Sequence, residues 1–185
     1  MRKEHTVLLV DDEPHIITAL ERVLQDLPVK ILSASNGNEG LSILRDNEVH
    51  VVISDERMPQ MAGSDFLALA KEQYPSTIRM MLTGHASIAA AMHAVNEGAI
   101  YRFFLKPWND LEVVLAVKSA CDLYDVEEEN RLLIRMVKIH QNHLRDLDQK
   151  FPDLLQHKKD ADGNIVLAGL SAEEVDRMLG EIGER

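Results

Sequence analysis

Five short apolar runs recur along the first 105 positions of the chain, and polar residues bound each of them. Runs of this length, rich in β-branched residues, are typical of strands that are buried on both faces of a parallel sheet. Between the runs, apolar residues recur at spacings of three and four, which predicts helices. The predicted strands cover residues 7–10, 29–32, 51–54, 78–82 and 101–105.

The segments between the strands carry helix start and stop signals. Pro14 suits the first turn of a helix, where a missing N–H costs little. Ser87 can cap a later helix that Gly98 closes. The predicted helices cover residues 14–24, 38–47, 64–74 and 88–97. Because strands and helices alternate, we expect an α/β fold whose five parallel strands lie in the order 2-1-3-4-5, with helices on both faces.

Polar side chains follow four of the predicted strands. Asp11 and Asp12 follow the first, Asp55 the third, Thr83 the fourth and Lys106 the fifth. The carboxyl ends of parallel strands meet at one edge of the sheet, where ligands of open α/β sheets bind. Three carboxylates repel one another unless a cation lies among them, and hard oxygen ligands suit Mg²⁺. A single aspartate after a strand is usually a helix cap, but five such residues together indicate a site that binds and moves a phosphoryl group.

These residues, with Met58-Pro59, Gly63, Gly84 and Pro107, resemble the motifs of the receiver domain of bacterial two-component response regulators. The resemblance covers residues 7–122 and implies a flavodoxin-like fold. It implies that Asp55 accepts a phosphoryl group from a histidine kinase. It further implies that Asp11, Asp12 and Asp55 hold Mg²⁺, and that Thr83 and Lys106 contact the phosphoryl oxygens.

Three more positions acquire roles from the same resemblance. Phe103 falls at the aromatic switch position of the family. Arg57 and His85 border the path of the hydrolytic water, so they are expected to tune the lifetime of the phosphoryl group. The direction of that effect stays open.

Composition narrows the class of partner and the compartment. A net charge of −11 argues against a general nucleic-acid or anionic-membrane surface. One cysteine excludes an intramolecular disulfide. The N-terminal apolar run is too short for a signal peptide, and no run approaches the roughly 20 residues that span a bilayer. We therefore expect a cytoplasmic protein with neither nucleic acid nor membrane among its partners.

A helical pattern without Pro or Gly continues from residue 109 to residue 151. A helix of about 40 residues is near 60 Å long, far more than a final receiver helix needs. Two alternating apolar positions predict a coiled coil over residues 123–151 that makes a homodimer. A second stripe keeps a fold-back onto the receiver as the alternative. The first pattern comprises Leu123, Val126, Asn130, Leu133, Val137, His140, Leu144, Leu147 and Phe151, and the second Leu132, Met136, Ile139 and His143.

The predicted organisation is a receiver domain at residues 1–122, a coiled-coil helix at 123–151 and a short tail at 152–185. In the tail we expect a turn at 160–163, an extended segment at 164–168 and a helix at 171–180. No basic patch or second catalytic constellation stands out after residue 110. The favoured function is a non-enzymatic adaptor that contacts an unknown downstream protein. The alternative is the regulatory portion of a larger or truncated regulator with an enzymatic or DNA-binding output.

Overall fold

The computed structural model describes residues 4–84, 92, 95, 99–150, 158–159 and 165–166. Five parallel strands form one sheet in the order β2-β1-β3-β4-β5, which confirms the predicted topology. The strands are β1 His5–Val10, β2 Val29–Ala34, β3 Val51–Asp55, β4 Ile78–Thr83 and β5 Arg102–Leu105. The helices are α1 Pro14–Leu24, α2 Gly37–Asp46, α3 Gly63–Gln73 and α4 Asp110–Lys150.

The central strands are buried on both faces, as their uninterrupted apolar runs predict. In β1, Leu9 belongs to one core cluster and Leu8 to the other, on the opposite side of the sheet. In β3, Ile53 and Val52 divide in the same way. Side chains alternate between the faces of a strand, so a central strand needs apolar residues at every position.

Local sequence signals explain where the helices begin. Pro14 occupies the first turn of α1. At α2 the Asn36 side chain accepts the Glu39 N–H at 3.0 Å, and the Glu39 carboxylate accepts the Ser35 N–H at 2.7 Å. One open donor of the first helical turn and one backbone donor before the cap are satisfied in this way. The predicted helix at 88–97, with Ser87 and Gly98, falls mostly outside the described residues, of which Met92 and Val95 are helical.

The first part of α4 packs on the sheet, and a polar cluster fastens it at the amino ends of the strands. The Tyr124 hydroxyl donates to Glu48 Oε1 at 3.3 Å, and His5 Nε2 lies 3.0 Å from Asp125 Oδ1. His50, almost fully buried, accepts the Thr6 N–H at Nδ1, and its ring centroid lies 4.5 Å from that of Tyr124. The α4 residues that belong to the core are Val113, Ala116, Val117, Ala120, Cys121 and Tyr124.

The chain divides into two compact units, Met1–Asn130 and Arg131–Arg185. The long helix is confirmed, whereas the domain boundaries, the dimer and the fold-back remain predictions. In the second unit, β6 Lys158–Lys159 pairs antiparallel with β7 Ile165–Val166. Of these two strands, β7 lies within residues 164–168, which were expected to be extended. The expected turn at 160–163 and helix at 171–180 lie outside the described residues. In the described part of the chain, no helix is long and apolar enough to span a bilayer.

Candidate functional site

The parallel sheet brings four of the predicted site residues to one edge. Asp55 is the last residue of β3 and Thr83 the last of β4, while Asp11 and Lys106 directly follow β1 and β5. Asp55 pairs in register with Leu82, and Thr83 with Leu105. The order of the strands therefore places Asp55 between Asp11 on one side and Thr83 on the other.

Lys106 lies between the two buried carboxylates. Its Nζ is 2.6 Å from Asp55 Oδ1 and 3.0 Å from Asp11 Oδ2. The other oxygen of each carboxylate accepts a backbone N–H, from Arg57 to Asp55 Oδ2 at 2.7 Å and from Glu13 to Asp11 Oδ1 at 2.9 Å. Both carboxylates are thus oriented by one ammonium and one peptide group.

Burial sets the electrostatics of the cluster. Loss of solvent raises the pKa of Asp11 above its ordinary value, although the Glu13 N–H and Lys106 oppose the shift; the charge of Asp55 adds to it. Burial alone would lower the pKa of Lys106, but hydrogen bonds to Asp55 and Asp11 raise it. The ammonium is therefore stabilised in its charged form, whereas the charge of Asp11 is incompletely compensated.

The donor set fits Mg²⁺. With both buried carboxylates ionised, one ammonium leaves one negative charge uncompensated, and the exposed Asp12 adds another beside it. Among the described residues, no three His, Cys, Asp or Glu side chains converge as a ready-made metal cage. Mg²⁺ is usually held by one or two carboxylates, with waters and phosphate oxygens completing its octahedron. The full ligand set of Asp11, Asp12 and Asp55 remains a prediction.

Thr83 and the predicted switch residue Phe103 occupy different environments. Thr83 is fully buried, and its hydroxyl donates to the carbonyl of Gly84 at 3.2 Å. Phe103 is half-buried and lines a surface pocket of about 530 Å³ together with Val95, Tyr101 and Trp108. Thr83 is therefore enclosed by the core, whereas Phe103 borders open space at the surface.

Of the two positions expected to tune the lifetime of the phosphoryl group, Arg57 lies among the described residues. Arg57 is exposed, and its backbone N–H donates to Asp55 Oδ2. His85 lies outside the described residues. The lifetime role of both stays a prediction.

Sequence reasoning missed the part played by Glu56. This side chain is buried, and its carboxylate accepts the Ser64 N–H at 2.9 Å and the Ser64 hydroxyl at 3.1 Å. A negative charge at the first turn of α3 is favourable because it faces the positive end of the helix dipole. An acidic residue between Asp55 and a helix start eight positions later is the signal that could have revealed it.

Gly63 belongs to the motif described above, and the structure shows why a glycine is needed there. A Cβ at this position would lie 2.8 Å from the Asp55 carbonyl carbon and 2.9 Å from Glu56 Cα. The Gly63 N–H also donates to the Glu56 carbonyl at 2.9 Å. The first turn of α3 can therefore rest directly on the backbone beside Asp55 only because Gly63 has no side chain.

Residues 7–118 match the family model described as the response regulator receiver domain. The chain belongs to this family. The receiver is similar to the hydrogenase transcriptional regulatory protein HoxA of Bradyrhizobium diazoefficiens, with 32% identity over 78% of this chain and 30% of the relative. The chain therefore spans less than a third of the length of that relative.

Two solved structures resemble the receiver over most of their own length. An uncharacterized protein from Neptuniibacter caesariensis is 40% identical, with a TM-score of 0.66 over 68% of this chain and 93% of the other. The signal receiver domain of an HD domain-containing protein from Pseudomonas fluorescens is 38% identical, with a TM-score of 0.66 over 70% and 95%. Both comparisons support the receiver fold of residues 7–118.

Proposed function

We propose that this chain is a phosphorylation-activated receiver in which Asp55 accepts a phosphoryl group from a phosphohistidine of a histidine kinase. The observation that carries the proposal is the Lys106 ammonium, 2.6 Å from Asp55 Oδ1 and 3.0 Å from Asp11 Oδ2 at the carboxyl edge of the sheet. A buried nucleophilic carboxylate beside a fixed cation is suited to phosphoryl transfer, in which positioning and charge stabilisation dominate.

The transfer exchanges one bond to phosphorus for another. A carboxylate oxygen of Asp55 attacks the phosphorus, the P–N bond of the phosphohistidine breaks, and the imidazole leaves and takes up a proton. Lys106 stabilises negative charge on the transferring oxygens because its Nζ already lies beside the attacking carboxylate of Asp55. Asp11, Asp12 and Asp55 would hold Mg²⁺, which when bound supplies further positive charge to the same oxygens.

Phosphorylation is then read out by Thr83 and Phe103. In the described state the Thr83 hydroxyl donates a long hydrogen bond to a neutral carbonyl at 3.2 Å. A phosphoryl oxygen on Asp55 offers a stronger, charge-assisted acceptor, so Thr83 should turn toward it. Phe103 then turns inward from the pocket it lines. Structures with and without a phosphoryl mimic test this, and identical Thr83 and Phe103 positions would contradict it.

Labelling by acetyl phosphate with Mg²⁺ tests the chemistry. Asp55→Asn should abolish labelling, because an amide is not a nucleophile for phosphorus. Asp65→Asn is the matched control, since Asp65 is an exposed aspartate on the nearby α3 and should label as the parent does. Full labelling of Asp55→Asn would sink the assignment.

For the output, we propose a homodimer through residues 123–151 that engages a downstream protein, without catalysis by this chain. Val126, Leu133 and Val137 support it, because these predicted contact positions are about half exposed in the single chain. Val137→Asp should convert a dimer to a monomer in light scattering, whereas Asn142→Asp, at an exposed position on the far side of the helix from the seam, should not. A parent chain that is monomeric at all accessible concentrations would favour the fold-back instead.

The alternative, a regulatory portion of a larger regulator, is favoured by one observation. The chain spans 30% of the length of a relative named as a transcriptional regulatory protein. An immunoblot of the native cell extract, probed with an antibody against the receiver, separates the two. A band at the size of the present chain supports the adaptor, and a much larger band supports the regulatory portion.

A further inference from the structure

Within α4, residues 131–145 have a charge opposite to that of the rest of the protein. The whole chain carries a net charge of −11, yet this segment contains Arg131, Arg135, Lys138 and Arg145 and no Asp or Glu. The expectation that no basic patch stands out after residue 110 does not hold for this segment. Acidic residues bracket the segment on both sides, at 127–129 and at Asp146 and Asp148. The segment is about 22 Å long, at 1.5 Å per residue.

The apolar side chains of the segment cover an arc wider than one coiled-coil seam. At about 100° per residue, the arc from Ile139 through Leu132 and Met136 to Leu133, Val137 and Ile134 spans about 220°. A seam between two helices uses a narrower stripe. All six side chains are 47–55% exposed. The arc therefore holds two stripes, and the proposed dimer uses only the one that contains Leu133 and Val137.

The second stripe, Leu132–Met136–Ile139, borders the cations. Arg135 lies about 40° beyond Ile139 around the helix, and Lys138 about 100° beyond it. Arg135 and Lys138 are both exposed. On the other side of the helix, Val137 also lies about 100° from Lys138, with the apolar Ile134 between them, so Arg135 is the cation that distinguishes the second stripe. The two stripes thus differ in their electrostatic surroundings, and the second favours a negatively charged occupant.

We propose that the Leu132–Met136–Ile139 stripe docks an acidic amphipathic helix of a partner protein. A second copy of this chain in parallel register brings no carboxylate to residues 131–145, because the segment contains none. An anionic membrane suits the segment poorly, because the acidic residues at both of its ends would be repelled by the same surface. A partner helix of about 15 residues can instead match the segment and avoid the acidic ends.

The proposal deepens the proposed function, since the partner is the downstream protein of the adaptor. The probe is a fluorescently labelled synthetic helix with a leucine stripe flanked by glutamates, titrated with the full chain and followed by anisotropy. Its partner probe has lysine in place of each glutamate. We expect the acidic probe to bind, the basic probe to fail, and rising salt to weaken binding.

Three chain variants give the test its specificity. Arg135→Gln with Lys138→Gln should weaken the acidic probe by about tenfold or more, and Met136→Asp should abolish binding. Gln141→Glu, on the opposite side of the helix, should bind as the parent does. Equal binding of both probes, or unchanged affinity in the double variant, overturns the proposal.

Two further measurements identify the other occupants. Binding of the full chain to vesicles of phosphatidylcholine with phosphatidylglycerol, but not to the acidic probe, would assign the stripe to a membrane and overturn the proposal. A change in oligomeric state of the double variant without probe would assign it to a second copy and do the same. Acetyl phosphate labelling of the same samples reports on Asp55 separately, so failure of the phosphoacceptor assignment stays distinguishable from failure of the docking site.

Discussion

Replacement of Gly63 by alanine should show that the phosphoacceptor is held in place by backbone contact. The added methyl group would lie 2.8 Å from the Asp55 carbonyl carbon and 2.9 Å from Glu56 Cα, and nearer still to the Asp55 carbonyl oxygen. These opposing atoms belong to the backbone at the end of β3, so no side-chain rotation relieves the clash. The first turn of α3 and the Asp55 segment must move apart.

The size of the effect follows from that geometry. Overpacking typically costs about 1–3 kcal/mol, and a clash between backbone segments belongs at the upper end, near 3 kcal/mol. For a chain of this size that loss corresponds to a fall in Tm of roughly 6–12 °C. Labelling of Asp55 should slow as well, since a displacement of about 1 Å can lower a rate on the order of 10²-fold.

Urea denaturation and the initial rate of acetyl phosphate labelling measure both effects on one sample. Gly84→Ala is the matched control, because a methyl group there meets no described atom within 4 Å and the backbone is not in the left-handed region. It should leave stability unchanged or raise it by about 0.4–1 kcal/mol, through a smaller entropy of the unfolded chain. If Gly63→Ala unfolds at the same urea concentration as the parent and is labelled equally fast, the close approach described here does not determine the site.

Three further substitutions or reagents test other parts of the structure. Burial raises the pKa of Asp11, so the stability that its protonated form contributes is present below the unfolded pKa and is lost as pH rises through the folded pKa. Asp11→Asn should therefore be more stable than the parent at pH 7 without Mg²⁺. Urea denaturation that finds the parent more stable contradicts this. Ser64→Ala deletes the hydroxyl that donates to the Glu56 carboxylate and leaves the Ser64 N–H as the donor, so the free energy of unfolding should fall by about 1–3 kcal/mol. Exposed Ser42→Ala should change it by less than about 0.5 kcal/mol. Burial raises the pKa of Cys121 to about 11. Its thiol should therefore resist a disulfide reagent at pH 8 in the folded chain and react once urea unfolds the chain. Rapid reaction of the folded chain would refute this burial.

The sheet could be predicted from sequence because its central strands are apolar at nearly every position, and a buried parallel strand requires that pattern. The convergence of Asp11, Asp55, Thr83 and Lys106 followed, since each occupies the carboxyl end of a strand whose place in the sheet was predicted. Helix limits were less certain: α2 begins at Gly37 and α3 at Gly63, each one position before the prediction. Helix ends depend on caps, which local sequence specifies only partly.

Contacts between distant positions could not be predicted from one sequence. The Lys106 ammonium bridges two carboxylates that lie 51 and 95 positions away, and nothing near Lys106 marks both as its partners. Glu56 and Ser64 meet only because the loop between them folds back at Gly63. His5 finds Asp125 across 120 positions. Such pairs are set by the tertiary fold, whereas periodicity reports only on the neighbourhood of each residue.

The polar cluster that holds α4 against the sheet lies far from the phosphoacceptor, and this separation bears on how proteins of this kind can diversify. His50 directly precedes β3 and Asp55 ends it, so the length of one strand, about 17 Å, separates the polar cluster beneath α4 from the phosphoacceptor. A gene fusion or exchange made beyond Asp125 leaves His5, Glu48, His50 and Tyr124 in place, together with every residue around Asp55. Selection can therefore replace what the helix leads to while inheriting the phosphoacceptor unchanged, because the joint lies at the opposite edge of the sheet.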